Sequence, residues 1–286
     1  MAERLQFDLE ALRARHPAHF AGFGRDRAMA LGIAAAALAL LVFGMIWLGF
    51  FGERVLSGFG ELGKVVGLML PPDPGGWSNV KLFTSALVET IAIALIGTLA
   101  AAVLALPLGL LAANNVTTAK VFHFLTRRSL DTIRSVDTLI WALIWINVVG
   151  LGPFAGALAI MTSDLGSFGK LFSEAIEASD RKPVEGIVSA GGSRILGVRF
   201  GILPEVFPVL ASQVLYYFES NTRSATIIGI VGAGGIGLHL AEALRVLELK
   251  QASFIILMIL VTVAAIDLVS NRLRFALIGK RGQGRT

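Results

Sequence analysis

The fold is decided by a polar segment in an otherwise apolar chain. This segment runs from Ser179 to Pro204 and reads SDRKPVEGIVSAGGSRILGVRFGILP. It is rich in charged residues and glycines, whereas the chain on both sides of it is mostly apolar. A polar segment between two apolar segments of helical length is expected at a membrane surface. We therefore expect a structured element on the cytoplasmic side, where it can bind a partner.

The composition is that of an integral membrane protein. Of the 286 residues, 55% are hydrophobic and 16% are charged, whereas a soluble domain carries about 25% charged residues. A membrane span needs about 20 mainly apolar residues, and uncharged runs occupy 28–51, 90–119, 138–163 and, more briefly, 251–266. The basic residues lie in the connecting segments, which argues against nucleic acid as a partner. The chain contains no cysteine, which excludes disulfides and cysteine metal sites.

The distribution of Lys and Arg predicts the topology. Cytoplasmic connections are enriched in these residues, and the basic segments are the N-terminus, the connector 113–135, the polar segment and the C-terminal tail. All of them fall on one side of the membrane if the chain has six spans and both termini are cytoplasmic. The predicted spans are 28–51, 82–112, 136–149, 154–178, 205–231 and 251–271. The predicted parts are a cytoplasmic segment 1–27, a first span and extracytoplasmic loop 28–80, a core 81–273 and a basic tail 274–286.

Two glycine-rich motifs resemble nucleotide-binding loops. Gly58 to Lys64 fits G-x-x-x-x-G-K, but Val65 replaces the Ser or Thr that would hold magnesium, and no strand precedes it. A G-x-G-x-x-G pattern follows span five, where we expect a helix break beside the transport pathway rather than a dinucleotide site. Its glycines are Gly232, Gly234, Gly235 and Gly237. We find no catalytic constellation, metal-ligand spacing or cofactor motif, so we expect neither enzyme activity nor a cofactor in this chain.

Span five contains polar residues that have two interpretations. Glu219 and Arg223 are four residues apart, a spacing that favours a structural ion pair within one helix. Polar groups inside a membrane also mark solute pathways, and the candidate pathway residues are Glu219, Asn221, Arg223, Ser224 and Thr226. Glu89 of span two admits the same two interpretations. The small residues of span two, at four-residue spacing from Gly97 to Gly109, predict close helix packing, either inside one subunit or near a subunit interface.

The polar segment has the residues of a short amphipathic helix. Asp180 is suited to cap its start, Pro183 to stand in its first turn, and Gly191 to end it. The segment resembles the cytoplasmic loop of bacterial ABC importer permeases, whose pattern is E-A-A-x3-G-x9-I-x-L-P. The matching residues are Glu185, Gly191, Leu203 and Pro204, and the departures are Gly186, Ile187 and Gly201. Residues 149–156, 182–187, 223–226, 231–237 and 267–270 look like those of the phosphonate importer permeases.

This resemblance implies an all-α, type I ABC importer permease fold in the bacterial inner membrane. It implies a pair of permease copies surrounded by lipid, a separate ATPase dimer that binds ATP and magnesium, and an extracytoplasmic solute-binding protein. The helix at about 180–192 would be the coupling helix, contacting the ATPase through Glu185, Gly186, Ile187, Gly191, Leu203 and Pro204. The implied solutes are phosphonates, phosphite or hypophosphite. The alternatives are a partner-independent secondary transporter or channel for a small anion, and a membrane-embedded enzyme.

Overall fold

The regular structure of the described part of the chain is helical. In this computed structural model, residues 25–50, 53–117 and 120–279 are described. They belong to two units, 1–66 and 67–286. The predicted N-terminal segment therefore lies outside the described residues up to residue 24, and so does the end of the basic tail, 280–286.

The first unit contains α1, Arg25–Trp47, and most of α2, Glu53–Leu68. Helix α1 contains an apolar stretch, Arg27–Trp47, of the length and composition of a membrane span. Helix α2 includes the motif Gly58 to Lys64, whose lysine pairs with Glu61 at 2.7 Å. A phosphate-binding loop needs consecutive backbone N–H groups that are free of helical bonds, so this helical geometry argues against nucleotide binding there.

The second unit is a bundle of long helices joined by shorter ones. Helix α3 packs along α6 and also contacts α9; α4 and α5 pack on α6; and α9 contacts α10 and α11. The elements are α3 (Trp77–Ala112), α4 (Lys120–Arg134), α5 (Thr138–Val149), α6 (Pro153–Glu177), α7 (Lys182–Ser189), α8 (Arg194–Gly197), a π-helical turn (Val198–Ile202), α9 (Leu203–Ile230), α10 (Ile236–Arg245) and α11 (Leu249–Gly279).

Several helices are long and apolar enough to cross a membrane. Within the described ranges they are Arg27–Trp47, Trp77–Ala112, Arg194–Ile230 and Leu249–Ala276, and the pair α4 and α5, bent by 89°, could add a fifth crossing. Helix α5 has 12 residues, or about 18 Å at 1.5 Å per residue, which is less than the ~30 Å hydrocarbon core. Helix α6 has 25 residues but carries four charged ones. The number of six spans therefore stays a prediction.

The small residues of α3 face α6. A Cβ atom at Gly97 would lie 2.8 Å from Ile160, and one at Gly109 would lie 2.9 Å from Phe172. Side chains larger than glycine would push these two helices apart, because contacts under about 3 Å cannot be relaxed without a backbone shift. Of the two interpretations of this stripe, the structure supports close packing inside one subunit.

Two boundaries differ from the sequence-based expectation. Between the glycine pattern at 232–237 and the last predicted span at 251–271, the sequence predicts a short loop, 238–250, but most of these residues form α10, Ile236–Arg245. The last predicted span ends at 271, yet α11 continues to Gly279. The extension brings Arg274, which the sequence analysis placed in the tail, into the helical bundle.

Candidate functional site

The polar segment folds into a short helix with defined ends. Asp180 Oδ1 accepts a hydrogen bond from the Lys182 N–H at 3.1 Å, at the start of α7. The helix ends at Ser189, and two residues later Gly191 has a φ of +87°, a conformation that favours glycine. The Gly192 N–H then closes the turn by donating to the Ile187 carbonyl at 2.9 Å. The helix that the sequence predicts at about 180–192 is therefore present as Lys182–Ser189, while its coupling role stays a prediction.

The inner side of α7 rests on the π-helical turn. A Cβ atom at Gly201 would lie 3.1 Å from Val184 Cγ2 and 3.2 Å from the Val184 backbone nitrogen. Gly201 replaces the isoleucine of the family pattern. Because glycine has no side chain, Val184 can pack against the backbone of the π-helical turn. Gly186, another departure, has nothing within 4 Å of its Cβ position. Ile187 packs against Gly192.

Helix α7 is tied to the start of α9. Glu205, in the first turn of α9, accepts a hydrogen bond from the Asp180 N–H at 3.3 Å. Leu203 and Pro204 begin α9, where a proline in the first turn costs no helical hydrogen bond. The residue that precedes α7 by two positions is therefore hydrogen-bonded to the first turn of α9, and α9 belongs to one of the apolar membrane-length helices.

The outer face of α7 is open. Glu185, Gly186, Val188 and Ser189 are exposed, and α7 forms one wall of a cleft of about 720 Å³. The opposite wall is the connector 114–117 with Lys120. Glu177 holds this connector to α6, because it accepts from the Asn114 N–H at 2.8 Å and pairs with Arg127 at 3.2 Å. The cleft is therefore lined by the connector 114–117, which is hydrogen-bonded to α6 through Glu177, and by the exposed helix α7.

A buried polar cluster joins three helices in the bundle. The Nδ2 group of Asn221 on α9 donates to Thr98 Oγ1 of α3 at 2.8 Å and to Asp164 Oδ2 of α6. All three side chains are buried. Thr226, another candidate pathway residue, is also buried and donates to the Thr222 carbonyl of its own helix at 3.2 Å. In this structure the side chains of Asn221 and Thr226 thus form hydrogen bonds within the subunit.

Sequence reasoning missed Asp164 and Thr98 as partners in this cluster. Asp164 is a charged residue in the fourth predicted span, 154–178, and Thr98 lies within the uncharged run 90–119. The available signal was a carboxylate in a membrane helix, because such a group requires a polar partner. The sequence does not say which helix provides that partner.

The remaining candidate pathway residues of α9 are Arg223, Ser224 and Glu219. Arg223 is exposed and Ser224 is half-buried, and the Ser224 hydroxyl donates to the Ser220 carbonyl at 3.5 Å. Glu219 is buried and pairs with Arg223 at 3.3 Å, as the four-residue spacing predicts. Glu219 also pairs with Arg274 of α11 at 2.9 Å, a contact that the sequence analysis did not predict.

The glycine-rich break turns the chain back from α9 into α10. Gly232, Gly234 and Gly235 have φ values of +105°, +83° and +74°, which only glycine adopts readily. The two N–H groups at the start of α10 donate to side chains of α3: Gly235 to Glu89 Oε1 at 2.9 Å, and Ile236 to Thr90 Oγ1 at 2.8 Å. The predicted break is present, and Glu89 holds it in place.

The break also meets the turn between α5 and α6. The Gly152 N–H donates to the Gly232 carbonyl at 3.0 Å, and the two turns enclose a pocket of about 250 Å³ that Glu89 and His239 also line. At Gly237 the chain passes so close to the Thr226 carbonyl oxygen that a Cβ would lie 1.9 Å from it. The glycines at 232–237 therefore allow α9 and α10 to pack closely and the chain to reverse its direction between them.

This arrangement is that of a membrane transport subunit, and comparison with known proteins identifies its family. The family described as binding-protein-dependent transport system inner membrane component matches residues 105–281. The chain belongs to this family, and it is a transmembrane permease subunit of an ABC importer. Such subunits are not enzymes themselves and work with an ATPase and a binding protein. The chain is accordingly a multi-pass membrane protein.

Relatives from two bacterial genera are similar over most of the chain. The phosphite transport system permease protein PtxC of Stutzerimonas stutzeri is 33% identical over 270 residues, which are 94% of this chain and 97% of that protein. The putative phosphite transport system permease protein HtxC of the same species is 37% identical over 81% of each chain. The phosphate-import permease protein PhnE of Mycolicibacterium smegmatis is 37% identical over 73% of this chain and 39% of that protein.

Solved structures share the fold. An inward-facing structure of the MetNI methionine ABC transporter matches with a TM-score of 0.62 and 18% sequence identity, covering 71% of this chain and 99% of that one. An amino acid ABC transporter crystallised with histidines matches with a TM-score of 0.58 and 15% identity, covering 69% and 94%. The fold is therefore that of a type I ABC importer permease.

Proposed function

We propose that this permease imports a small phosphorus oxyanion, namely a phosphonate, phosphite or hypophosphite. The observation that carries the proposal is the similarity to PtxC, which extends over 94% of this chain and 97% of that permease at 33% identity. HtxC and PhnE support the same class of solute, since their names specify phosphite and phosphate transport. A partner-independent transporter or channel finds no support among these relatives.

In the proposed complex two copies of this chain form the pathway and two ATPase subunits bind ATP and magnesium. Helix α7 is the proposed coupling helix. Three features support this role: α7 is exposed, it forms a wall of an open cleft, and it is tied to α9 through Asp180 and Glu205. Glu185 and Gly186 lie on the exposed side and are proposed to contact the ATPase directly. Ile187, Gly191, Leu203 and Pro204 are proposed to hold α7 in the position that the ATPase recognises.

The proposed pathway follows α9 toward the glycine break. Arg223 and Ser224 are the most accessible of its candidate residues, and the break at 232–237 is proposed to flank the outer end of the pathway. A binding protein would deliver the solute on that side. The proposed location is the bacterial inner membrane with both termini in the cytoplasm, as the Lys and Arg distribution predicts.

Reconstituted transport tests this function. Proteoliposomes containing the permease, its ATPase and its binding protein should accumulate phosphite or a phosphonate only when ATP is supplied on the ATPase side. Sulfate and an amino acid are the control solutes. Uptake without ATP or without the binding protein would contradict the proposal, and so would ATP-driven uptake of the control solutes in preference to phosphorus oxyanions.

A further inference from the structure

Helix α11 borders an apolar groove on the surface of the second unit. The groove has a volume of about 360 Å³ and lies between α3, α9 and α11. One face of α11, from Val261 to Leu273, supplies most of the wall, and the rest comes from Ile91 of α3 and from Leu215 and Phe218 of α9. The lining residues are apolar apart from two hydroxyl side chains. The groove is therefore suited to an apolar occupant.

The walls of this groove are exposed in the second unit. Val261, Val269 and Leu273 are 62%, 58% and 48% exposed, although they belong to a helix of membrane length. The hydroxyl of Ser270 donates to the Leu215 carbonyl at 3.2 Å, so this polar group is satisfied between the two walls. An exposed apolar surface of this kind marks a site of contact with lipid or with another apolar surface.

The length of the groove corresponds to one leaflet of the membrane. Its wall on α11 runs from Val261 to Leu273, which is 12 residues or about 18 Å at 1.5 Å per residue. One leaflet is about 15 Å deep, half of the ~30 Å hydrocarbon core. The start of α11 lies on the predicted extracytoplasmic side, because the Asp73 N–H donates to the Lys250 carbonyl at 3.2 Å. We therefore place the groove in the cytoplasmic leaflet.

An arginine lies at the cytoplasmic end of the groove. Arg272 is exposed and follows Ala265 and Val269 of the groove wall by seven and three positions. Residues at these spacings share one face of a helix, so Arg272 lies on the groove side of α11. It is 23 residues, or about 35 Å, from Leu249 at the start of the helix. This distance places its charge at the boundary of the ~30 Å hydrocarbon core.

The acidic groups at this end of α11 are bound to other side chains. Asp267 Oδ1 accepts from Asn271 Nδ2 at 3.0 Å, and Glu219 of α9 pairs with Arg274 at 2.9 Å. Among the described residues no hydrogen bond or ion pair of Arg272 is found. A permanent charge at the edge of the hydrocarbon core requires water or an anionic partner, so Arg272 is available to an anion at the membrane surface.

We propose that this groove binds an anionic phospholipid of the cytoplasmic leaflet. An acyl chain lies along α11 from Leu273 toward Val261, and the headgroup phosphate accepts hydrogen bonds from the Arg272 guanidinium. The groove alone would accept any apolar surface, but an apolar chain joined to a phosphate matches both the groove and the unpaired arginine at its end. The inference concerns the membrane lipid and is independent of the solute that the permease carries.

Native mass spectrometry of the purified permease–ATPase complex tests the headgroup contact. The complex is titrated with phosphatidylglycerol and, separately, with phosphatidylcholine. The first lipid bound by the wild type should be phosphatidylglycerol with at least about tenfold higher affinity, as expected for a charge-assisted contact. Arg272→Gln should lower the affinity for phosphatidylglycerol to that for phosphatidylcholine. Arg245→Gln is the matched control, because Arg245 is also exposed but lies in the last turn of α10, and it should bind like the wild type.

Two neighbouring alanines of α11 test the groove itself. Ala265 lines the groove, whereas Ala264 is exposed and lies outside the lining. Ala265→Trp should fill the groove and remove one tightly bound phosphatidylglycerol from each permease copy. Ala264→Trp adds the same side chain beside the groove and should retain that lipid.

Several outcomes would overturn the lipid site. One is equal affinity of the wild type for the two lipids, and another is wild-type affinity of Arg272→Gln for phosphatidylglycerol. Equal lipid loss in both tryptophan variants would show that the groove is not the site. If Ala265→Trp separates two permease copies while the bound lipid stays unchanged, the groove is an interface between copies and the lipid site is refuted. These measurements use no solute, so their failure is distinguishable from failure of the proposed transport function.

Discussion

Val184 of α7 lies against the backbone of Gly201 in the π-helical turn. A Cβ atom at position 201 would be 3.1 Å from Val184 Cγ2, closer than side-chain contacts normally are. The isoleucine that the family pattern has at this position would therefore displace α7 in this chain. The glycine at 201 is matched to the valine at 184, which explains a departure from the pattern that sequence reasoning could only note.

We predict that Gly201→Ile uncouples transport. The larger side chain should shift α7 by overpacking, which typically costs about 1–3 kcal/mol, and so reduce phosphite uptake in proteoliposomes while the ATPase still hydrolyses ATP. Ser189→Ala is the control on α7, because Ser189 is exposed and is not among the residues proposed to contact the ATPase. Equal uptake by Gly201→Ile and Ser189→Ala would show that the Val184 contact does not position α7.

Glu185→Ala tests the coupling role of α7 itself. Glu185 is exposed on α7 and lines the open cleft, so its removal should leave the fold of the permease intact. If Glu185 binds the ATPase, uptake should fall at least about tenfold, as for the loss of a charge-assisted contact, and the binding protein should no longer stimulate ATP hydrolysis. Ser189→Ala, on the same short helix, should behave like the wild type. Intact uptake by Glu185→Ala would refute the coupling role of this residue.

The apolar helices could be predicted from the sequence, but the contacts between them could not. The mainly apolar stretches 82–112 and 205–231 predicted α3 and α9 to within about five residues of their observed ends, because the thickness of the bilayer sets the length of a span. The pairing of Glu219 with Arg223 followed from helical periodicity in the same way. The contact of Glu219 with Arg274 joins residues 55 positions apart, and no local pattern specifies which residue of another helix arrives there.

Helix α10 was also beyond sequence reasoning. Residues 238–250 contain charges and follow a glycine cluster, so they were predicted as a loop, yet residues 238–245 belong to α10. The start of α10 is stabilised by Glu89 and Thr90 of α3, which are 146 residues away. A helix whose first N–H groups are satisfied by a distant side chain has no local capping signal.

Glu89→Ala should loosen α10. Without the carboxylate, the Gly235 N–H loses the acceptor that lies 2.9 Å from it, and loss of a helix cap costs about 0.5–2 kcal/mol. The expected result is faster amide hydrogen exchange at the start of α10, by about tenfold per 1.4 kcal/mol. Glu89→Gln keeps an acceptor oxygen and should exchange nearly as slowly as the wild type. Unchanged exchange in Glu89→Ala would remove Glu89 from this capping role.

Gly237→Ala tests the close approach of α9 and α10. A Cβ atom at Gly237 would lie 1.9 Å from the Thr226 carbonyl oxygen, so the two helices must separate to accept it. We expect a lower melting temperature of the purified permease and reduced uptake. Gly44→Ala in α1, where nothing lies within 4 Å of the Cβ position, is the matched control and should melt like the wild type. A Gly237→Ala variant as stable as this control would contradict the observed helix packing.

The last prediction concerns the buried cluster of Thr98, Asp164 and Asn221. The amide of Asn221 has two N–H groups and gives them to the other two residues. Asn221→Val removes both bonds and leaves the Asp164 carboxylate buried without its partner, which costs about 1–3 kcal/mol and more if the group is charged. The melting temperature of the permease should therefore fall.

The double variant Asn221→Val with Asp164→Val tests whether the two residues contribute to stability as a hydrogen-bonded pair or independently of each other. Replacing both partners of a buried polar interaction by apolar groups can be nearly neutral, so the double variant should melt above Asn221→Val alone. Thr98→Val serves as a partial control, because the Asn221 amide would still have Asp164 as an acceptor. If the effects of the two single variants simply add, Asn221 and Asp164 do not depend on each other, and the hydrogen bond between α6 and α9 makes no contribution to stability.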